Sequence, residues 1–422
     1  MIRTPRTEHA RATRVPACHC AGRPFALGSM AFVVGALLLA ACGSTSRTIP
    51  SHGMTASGST VYRWGVVGDK GPISQLQLDR PSAIAGLSGK VIQVATSNSD
   101  GYALTSSGTV YGWGVNSDGE LGDGHSTPYE TTAVKVEFPT GVTIRALANP
   151  MPFDAGLAID STGHAWGWGL NGANDLCLSG LVVARPRRLP FGDVTLATGA
   201  RTHSLFDSKG TLFACGSGDA GELGNGSTST ASTPTPVVGL PGGVKITSLT
   251  SSWEGSGALL ADGDYYDWGY NKAGQLGDDS TADSAIPVKV DLPYPVRQVF
   301  QGGSGPTNGQ TVAILRDGET WAWGANNRGQ LGVGSRKSSA IPVRVDVPHD
   351  VTFVSVSSGG FASYGIDRSG RLWAWGANTS GQLATGAGRQ GASIPVNVGI
   401  QLTEVSSTAQ NVAGLQESTQ RS

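Results

Sequence analysis

The chain returns seven times to the same short phrase: a few apolar residues, an anchor, a glycine, then a turn. The anchors are Trp64, Trp113, Trp168, Cys215, Trp268, Trp323 and Trp375, each followed by Gly, at spacings of 49, 55, 47, 53, 55 and 52 residues. A unit of this length cannot bury its own apolar face, so it must stack against its neighbours. The pattern within one unit is β. In Trp321-Ala322-Trp323 and Trp373-Ala374-Trp375 the aromatics recur at period two, which places them on one face of a strand. Ser-Gly and Asp-Gly turns between short alternating runs, as in YALTSSGTVYGWG and SYGIDRSGRLWAWG, read as hairpins. Each unit then supplies four short strands, which is one propeller blade. The 62 glycines and a charged fraction of 14% suit a chain of strands and tight turns and exclude a coiled coil or helical bundle.

The fullest copies, YYDWGYNKAGQLG, TWAWGANNRGQLG and LWAWGANTSGQL, resemble the repeat of the regulator of chromosome condensation family, and the resemblance runs from about residue 57 to about residue 417. It implies an all-β fold, a seven-bladed propeller. The two ends fit one blade between them. The first copy, from Ser59, lacks its leading half, and Leu402–Leu415 is that half without a following Trp-Gly. Pairing them closes the ring and removes exposed sheet edges. Loss of the last twenty or so residues is then expected to open the ring.

The N-terminus reads as an address. Arg3, Arg6, Arg11, Arg14 and Arg23 precede an uncharged apolar run from Phe25 to Ala41. Leu39-Ala40-Ala41-Cys42 resembles a bacterial lipobox, in which the cysteine is lipidated and becomes the new N-terminus. An ordinary signal peptide or uncleaved anchor with an incidental cysteine is the other reading. The expected organisation is a signal at 1–41, a flexible tether at 42–56 and the propeller at 57–422. The mature chain would then sit outside the cytoplasm, lipid-anchored through Cys42 to the cell membrane or outer membrane. Gly43, in place of a retention Asp, allows the latter.

Sites of chemistry are few. Lys+Arg 30 against Asp+Glu 31 excludes a polybasic nucleic-acid binder. No histidines stand at metal-ligand spacing, and His203 reads as a structural histidine within its blade. Gly216–Gly221 matches G-x-G-x-x-G but lies in a repeat loop with no helix following, and 116–123 resembles part of a calcium loop without its final Glu. No metal, cofactor or catalytic residue is expected. Cys177 and Cys215 replace the Gly and the Trp of neighbouring copies. They could form a disulfide or remain two buried thiols.

Binding is expected at the loops that correspond to the family's G-x-x-H segment, which a closed propeller gathers around its axis on one face. These loops carry large, varied side chains: Phe153 with Asp154, then Arg201, Trp253 with Glu254, Asn308 and Phe361. Asp100 and Asn411 stand at the matching places of the first and last copies. Aromatics and Arg are hot-spot residues, whereas the bland alternative is ordinary variable loop tips. The reading is a monomeric, membrane-tethered interaction module for a protein partner. By resemblance, family members are mostly interaction scaffolds, and some secreted bacterial ones inhibit β-lactamases. A polysaccharide-binding or polysaccharide-active protein is the alternative, and guanine nucleotide exchange is disfavoured by the leader. A hydrolase would need carboxylates converging in a pocket. The densest acidic run, Asp262, Asp264, Asp267, Asp278, Asp279 and Asp283, is the place to look.

Overall fold

The computed structural model describes residues 58–66, 77–305, 307–386, 388–408 and 411–417. The expected signal at 1–41 and tether at 42–56, with Cys42, lie outside the described residues. Seven four-stranded antiparallel sheets form seven blades. Blades I to VI follow the chain in order, at 91–135, 144–188, 194–236, 246–289, 296–344 and 353–401. Blade VII is composite: its strands Glu404–Thr408 and Asn411–Glu417 come from the C-terminal end, and Ser59–Val66 and Gln77–Ala83 from the start of the propeller. Val61 pairs with Leu415 and Trp64 with Val412, so the ring closes through backbone hydrogen bonds between the two ends.

The repeat's Trp-Gly explains how blades join. The six anchor tryptophans are fully buried or nearly so. The rings of Trp113 and Trp168 pass over strand neighbours that have no room for a side chain: a Cβ at Gly101 would stand 2.3 Å from Trp113, and one at Gly156 1.9 Å from Trp168. The far edge of the ring meets the G-Q-L-G loop of the preceding blade. A Cβ at Gly122, Gly277 or Gly332 would come within 2.7, 2.8 or 2.8 Å of Trp168, Trp323 or Trp375. Those glycines also hold φ values of +65, +65 and +71°, which favour Gly. Trp64, Trp268 and Trp375 donate their indole N–H to the carbonyls of Gln382, Glu222 and Gln330 at 2.9 Å, which ties each blade to the preceding loop.

One joint is built differently. Between blades II and III, Cys177 occupies the Gly position with φ +51° and Cys215 occupies the Trp position. The two form a disulfide with Cα atoms 5.6 Å apart. A Cβ at 177 leaves no room for an indole, and a cysteine at 215 vacates that room. The covalent bond takes over the link between blades.

The innermost strands are stitched by side chains. Gln93 accepts the Leu147 N–H at 2.9 Å and donates to the Leu147 carbonyl at 3.0 Å, and Gln298 accepts the Val356 N–H at 3.2 Å. Glu404 stands at the same strand position and accepts the Val94 N–H at 3.1 Å. Burial pushes its carboxyl up to about 7 against that hydrogen bond. Burial does the same to Asp175 and Glu222, each at about 7. A carboxyl that holds its proton more tightly when folded makes stability fall as pH rises from the ordinary value of about 4.5 to about 7. At Asp160 burial also raises, but hydrogen bonds from Trp166 and Thr162 outweigh it and bring the group to about 2. That stabilisation is present above the ordinary aspartate range and is lost as pH falls through about 2. The melting temperature is therefore expected to peak near pH 5 and to fall by several degrees at pH 8. Glu404→Gln should raise stability at pH 8 by about 1–2 kcal/mol and at pH 5 by only a few tenths of that. Thermal unfolding of both proteins at the two pH values checks this, and an equal effect at both would remove the ionisation argument.

Candidate functional site

In each blade the innermost strand turns back into the second strand on the same end of the ring, so the hairpin tips of blades I to VI surround the axis there, and the turn of blade VII lies outside the described residues. A recess lies at this mouth, and every blade contributes to its lining: Asn98, Phe153, Arg201, Trp253, Gly303, Gly359 and Thr408. The lining is lopsided. Blades II, III and IV give Phe153, Arg201 and Trp253, while blade V gives Gln301 and two glycines and blade VI gives Ser358 and Gly359. Its volume is about 40 Å³. That holds a few waters, far short of the several hundred cubic ångströms that a drug-sized ligand fills.

Local structure places the three large side chains. Trp253 and Glu254 form the turn between Ser252 and Gly255, which are paired across the hairpin, so Trp253 sits at a tip. Phe153 is fixed by its backbone on both sides: its carbonyl accepts the Asn98 N–H at 2.8 Å, and its N–H donates to the Ala200 carbonyl at 3.1 Å. The Arg201 guanidinium lies 3.9 Å from the Trp253 ring centroid and 5.7 Å from that of Phe153. Phe153 meets Trp253 edge-on at 5.4 Å and 83°. Such aromatic and cation–π contacts hold a surface cluster in one arrangement. Glu254, half-buried, flanks it. Burial raises its carboxyl, opposed by the Arg201 charge and a hydrogen bond with Trp253.

The expected ring is only partly displayed. Asp154 is 7% exposed and accepts a hydrogen bond from Ser99 Oγ at 3.3 Å, so it faces inward and offers nothing to a partner. Asp100 and Asn411 are also buried. Each is the first residue of its second strand and pairs with the glycine after a Trp, which turns its side chain between blades. Asp100 accepts from Ser97 Oγ at 2.8 Å, and Asn411 donates to the Asp100 carbonyl at 2.8 Å. Burial, with the nearby Glu120 charge, pushes Asp100 well above the usual carboxylate range. Asn308 and Phe361 are half-buried and do not line the recess. Sequence reading missed Gln301. It lines the recess at 4% exposure and donates its amide N–H to Asp267 at 2.6 Å, and its Oε1 finds no partner among the described residues. No repeat signal marks this position.

The acidic run does not converge. Asp264 pairs with Lys289 at 2.6 Å and Asp283 with Lys272 at 2.9 Å. Asp278 accepts from Asn271 inside its own turn, and Asp267 is buried against Gln301. His203 is fully buried, 2.7 Å from Ser256 Oγ, and burial lowers it to about 3.

The family model described as the regulator of chromosome condensation (RCC1) repeat matches residues 209–259, 262–305 and 317–366, and a second RCC1 repeat model matches 353–382. The chain carries RCC1 repeats. The RCC1 repeats match relatives of several kinds. The ultraviolet-B receptor UVR8 of Arabidopsis thaliana is 29% identical over 335 residues, 78% of this chain and 63% of the relative. The E3 ubiquitin-protein ligase HERC2 of Mus musculus is 26% identical over 311 residues, 71% of this chain and 6% of the relative. The chain thus spans less than two thirds of the length of these curated relatives. Among solved structures, human WBSCR16 superposes with a TM-score of 0.73 at 20% identity, over 86% of this chain and 99% of its own. Prp20p of Saccharomyces cerevisiae gives 0.72 at 20% identity, over 88% and 94%. These likenesses show the propeller fold.

Proposed function

We propose that this RCC1-repeat propeller is an exported protein-interaction module, held at a membrane by lipid on Cys42, that offers its axial face to a protein partner. The observation that carries the reading is the convergence of Phe153, Arg201 and Trp253 at one mouth of the ring. Aromatic and Arg anchors are the side chains that dominate protein interfaces. The shallow recess beside them suits an inserted side chain better than a free small molecule. The solved structure of Prp20p is described together with its binding to Gsp1p and histones, so a propeller of this fold takes protein partners. The Cys177–Cys215 bridge suits an oxidising compartment, in keeping with the Leu39–Cys42 leader motif.

The test is capture from envelope extracts with the full-length chain. A partner held by the wild type should be lost from a Phe153→Ala/Arg201→Ala/Trp253→Ala triple variant whose unfolding curve is unchanged. Retention by the triple variant would move the interface to another face. In the same cells the wild type should incorporate labelled palmitate and Cys42→Ala should not, and equal incorporation or none in either would remove the lipid reading.

A further inference from the structure

The mouth of the ring carries an unmatched charge. Arg201 is the only ionisable side chain among the described residues that line the recess. It is exposed, and no carboxylate oxygen lies within 4 Å of its nitrogens among the described residues, although Glu254 is close enough to feel its field. One face of its guanidinium is covered by the Trp253 indole at 3.9 Å. Stacking in this way leaves the donor edge of the planar group free while fixing its orientation, which is the state in which Arg takes a carboxylate through two parallel hydrogen bonds. Elsewhere in the lining Gln301 is 4% exposed and its amide nitrogen is committed to Asp267, so no lining side chain offers Arg201 a charged acceptor. An extended peptide bearing an acidic side chain brings that carboxylate. Gly303 and Gly359 in the lining carry no side chain to obstruct such a backbone, and the recess of about 40 Å³ is the size of a side-chain end.

We propose that the axial mouth binds an acidic peptide segment of the partner, with an Asp or Glu side chain taken by the Trp253-stacked Arg201. The inference rests on the interaction reading above and gives that partner its chemistry. Other occupants fail on the same feature: a basic peptide would meet Arg201 unscreened, and a wholly apolar one would leave the guanidinium desolvated without a partner.

The experiment uses the full-length chain on an array of peptides with acetylated and amidated ends. Each Asp- or Glu-containing peptide is paired with its Asn or Gln isostere, and the isostere is also presented with a free C-terminal carboxylate. The expected result is selection of the acidic capped peptides, with binding that weakens as salt rises. Arg201→Gln should weaken that binding about ten- to hundredfold and leave the isosteres unaffected. Arg201→Lys should recover little, because an ammonium neither stacks nor pairs bidentately. Equal binding of acidic peptides and isosteres, lost in Phe153→Ala/Trp253→Ala, would overturn the acidic preference and leave the interaction face standing. Binding of the isostere only when its C-terminal carboxylate is free would overturn the side-chain assignment. Wild-type protein that selects no peptide would overturn this inference together with the peptide-binding form of the reading beneath it.

Discussion

A chain that stops before Glu404 is expected to lose cooperative folding altogether. The segment from Glu404 to Glu417 supplies two of the four strands of blade VII, and Ser59–Val66 has Asn411–Glu417 as its partner along seven paired positions. Its apolar side chains are shared between neighbours. Val405 and Val412 pack with Trp64 and Tyr364 towards blade VI, while Ala413 and Leu415 pack with Val61 and Val94 towards blade I. Ser406 and Ser407 extend hydroxyl contacts to Thr96 at 3.0 Å and Ser357 at 2.9 Å on the two flanking blades. Removing Val405, Val412 and Leu415 alone forfeits about 5–9 kcal/mol of apolar burial, which is comparable with the whole stability of a typical domain, about 5–15 kcal/mol. The strand Ser59–Val66 would also lose its partner and present an open edge, which invites association between chains. The measurement is thermal unfolding and solubility of the chain truncated at residue 403. A sharp transition within a few degrees of wild type would mean that blade VII is dispensable and that the ring is held by its other joints.

The second large effect lies at the joint between blades II and III. The disulfide closes a loop across a sequence separation of 38 residues. Chain entropy then assigns it about 4 kcal/mol, equivalent to a fall in melting temperature on the order of 10 °C in a domain of this size. Cys177→Ser/Cys215→Ser should show that fall. Cys177→Gly/Cys215→Trp should recover most of it, because it rebuilds the joint found at Gly122–Trp168, Gly277–Trp323 and Gly332–Trp375. Each substitution of that pair made alone should do worse than the two together. Cys215→Trp by itself overpacks the joint against the remaining Cys177, and Cys177→Gly by itself leaves the joint empty and unbonded beside Cys215. A Cys177→Gly/Cys215→Trp variant that melts below the Cys177→Ser/Cys215→Ser variant would show that the two kinds of joint are not interchangeable.

The architecture was legible in the sequence for a definite reason. A propeller blade depends on near-neighbour chemistry: period-two aromatics, a glycine beside each Trp, and turns of fixed type. Each of these leaves a local trace, and seven traces in register outweigh the irregular copies. The closing pair of ends was legible too, since each end was visibly half a repeat. Even the odd joint showed itself as two substitutions, Cys177 for Gly and Cys215 for Trp. Whether their sulfurs meet is a matter of distance between blades, which no linear pattern records.

The site is where linear reading ran short. Counting along the G-x-x-H segment treated Asp100, Asp154, Phe361 and Asn411 as equals of Arg201 and Trp253. One position of register separates a hairpin tip from a residue turned between blades, and a loop of variable length hides that step. Gln301 lay outside the search because its strand position is ordinary and only its missing partner is unusual. By itself the sequence determined what repeats, how many times, and how the ends join, because those are set by contacts between residues close in the repeat. Only the tertiary structure decided which tips reach the axis, and that Arg201 of one blade rests on Trp253 of the next, because that contact exists only once the blades have closed around a common centre.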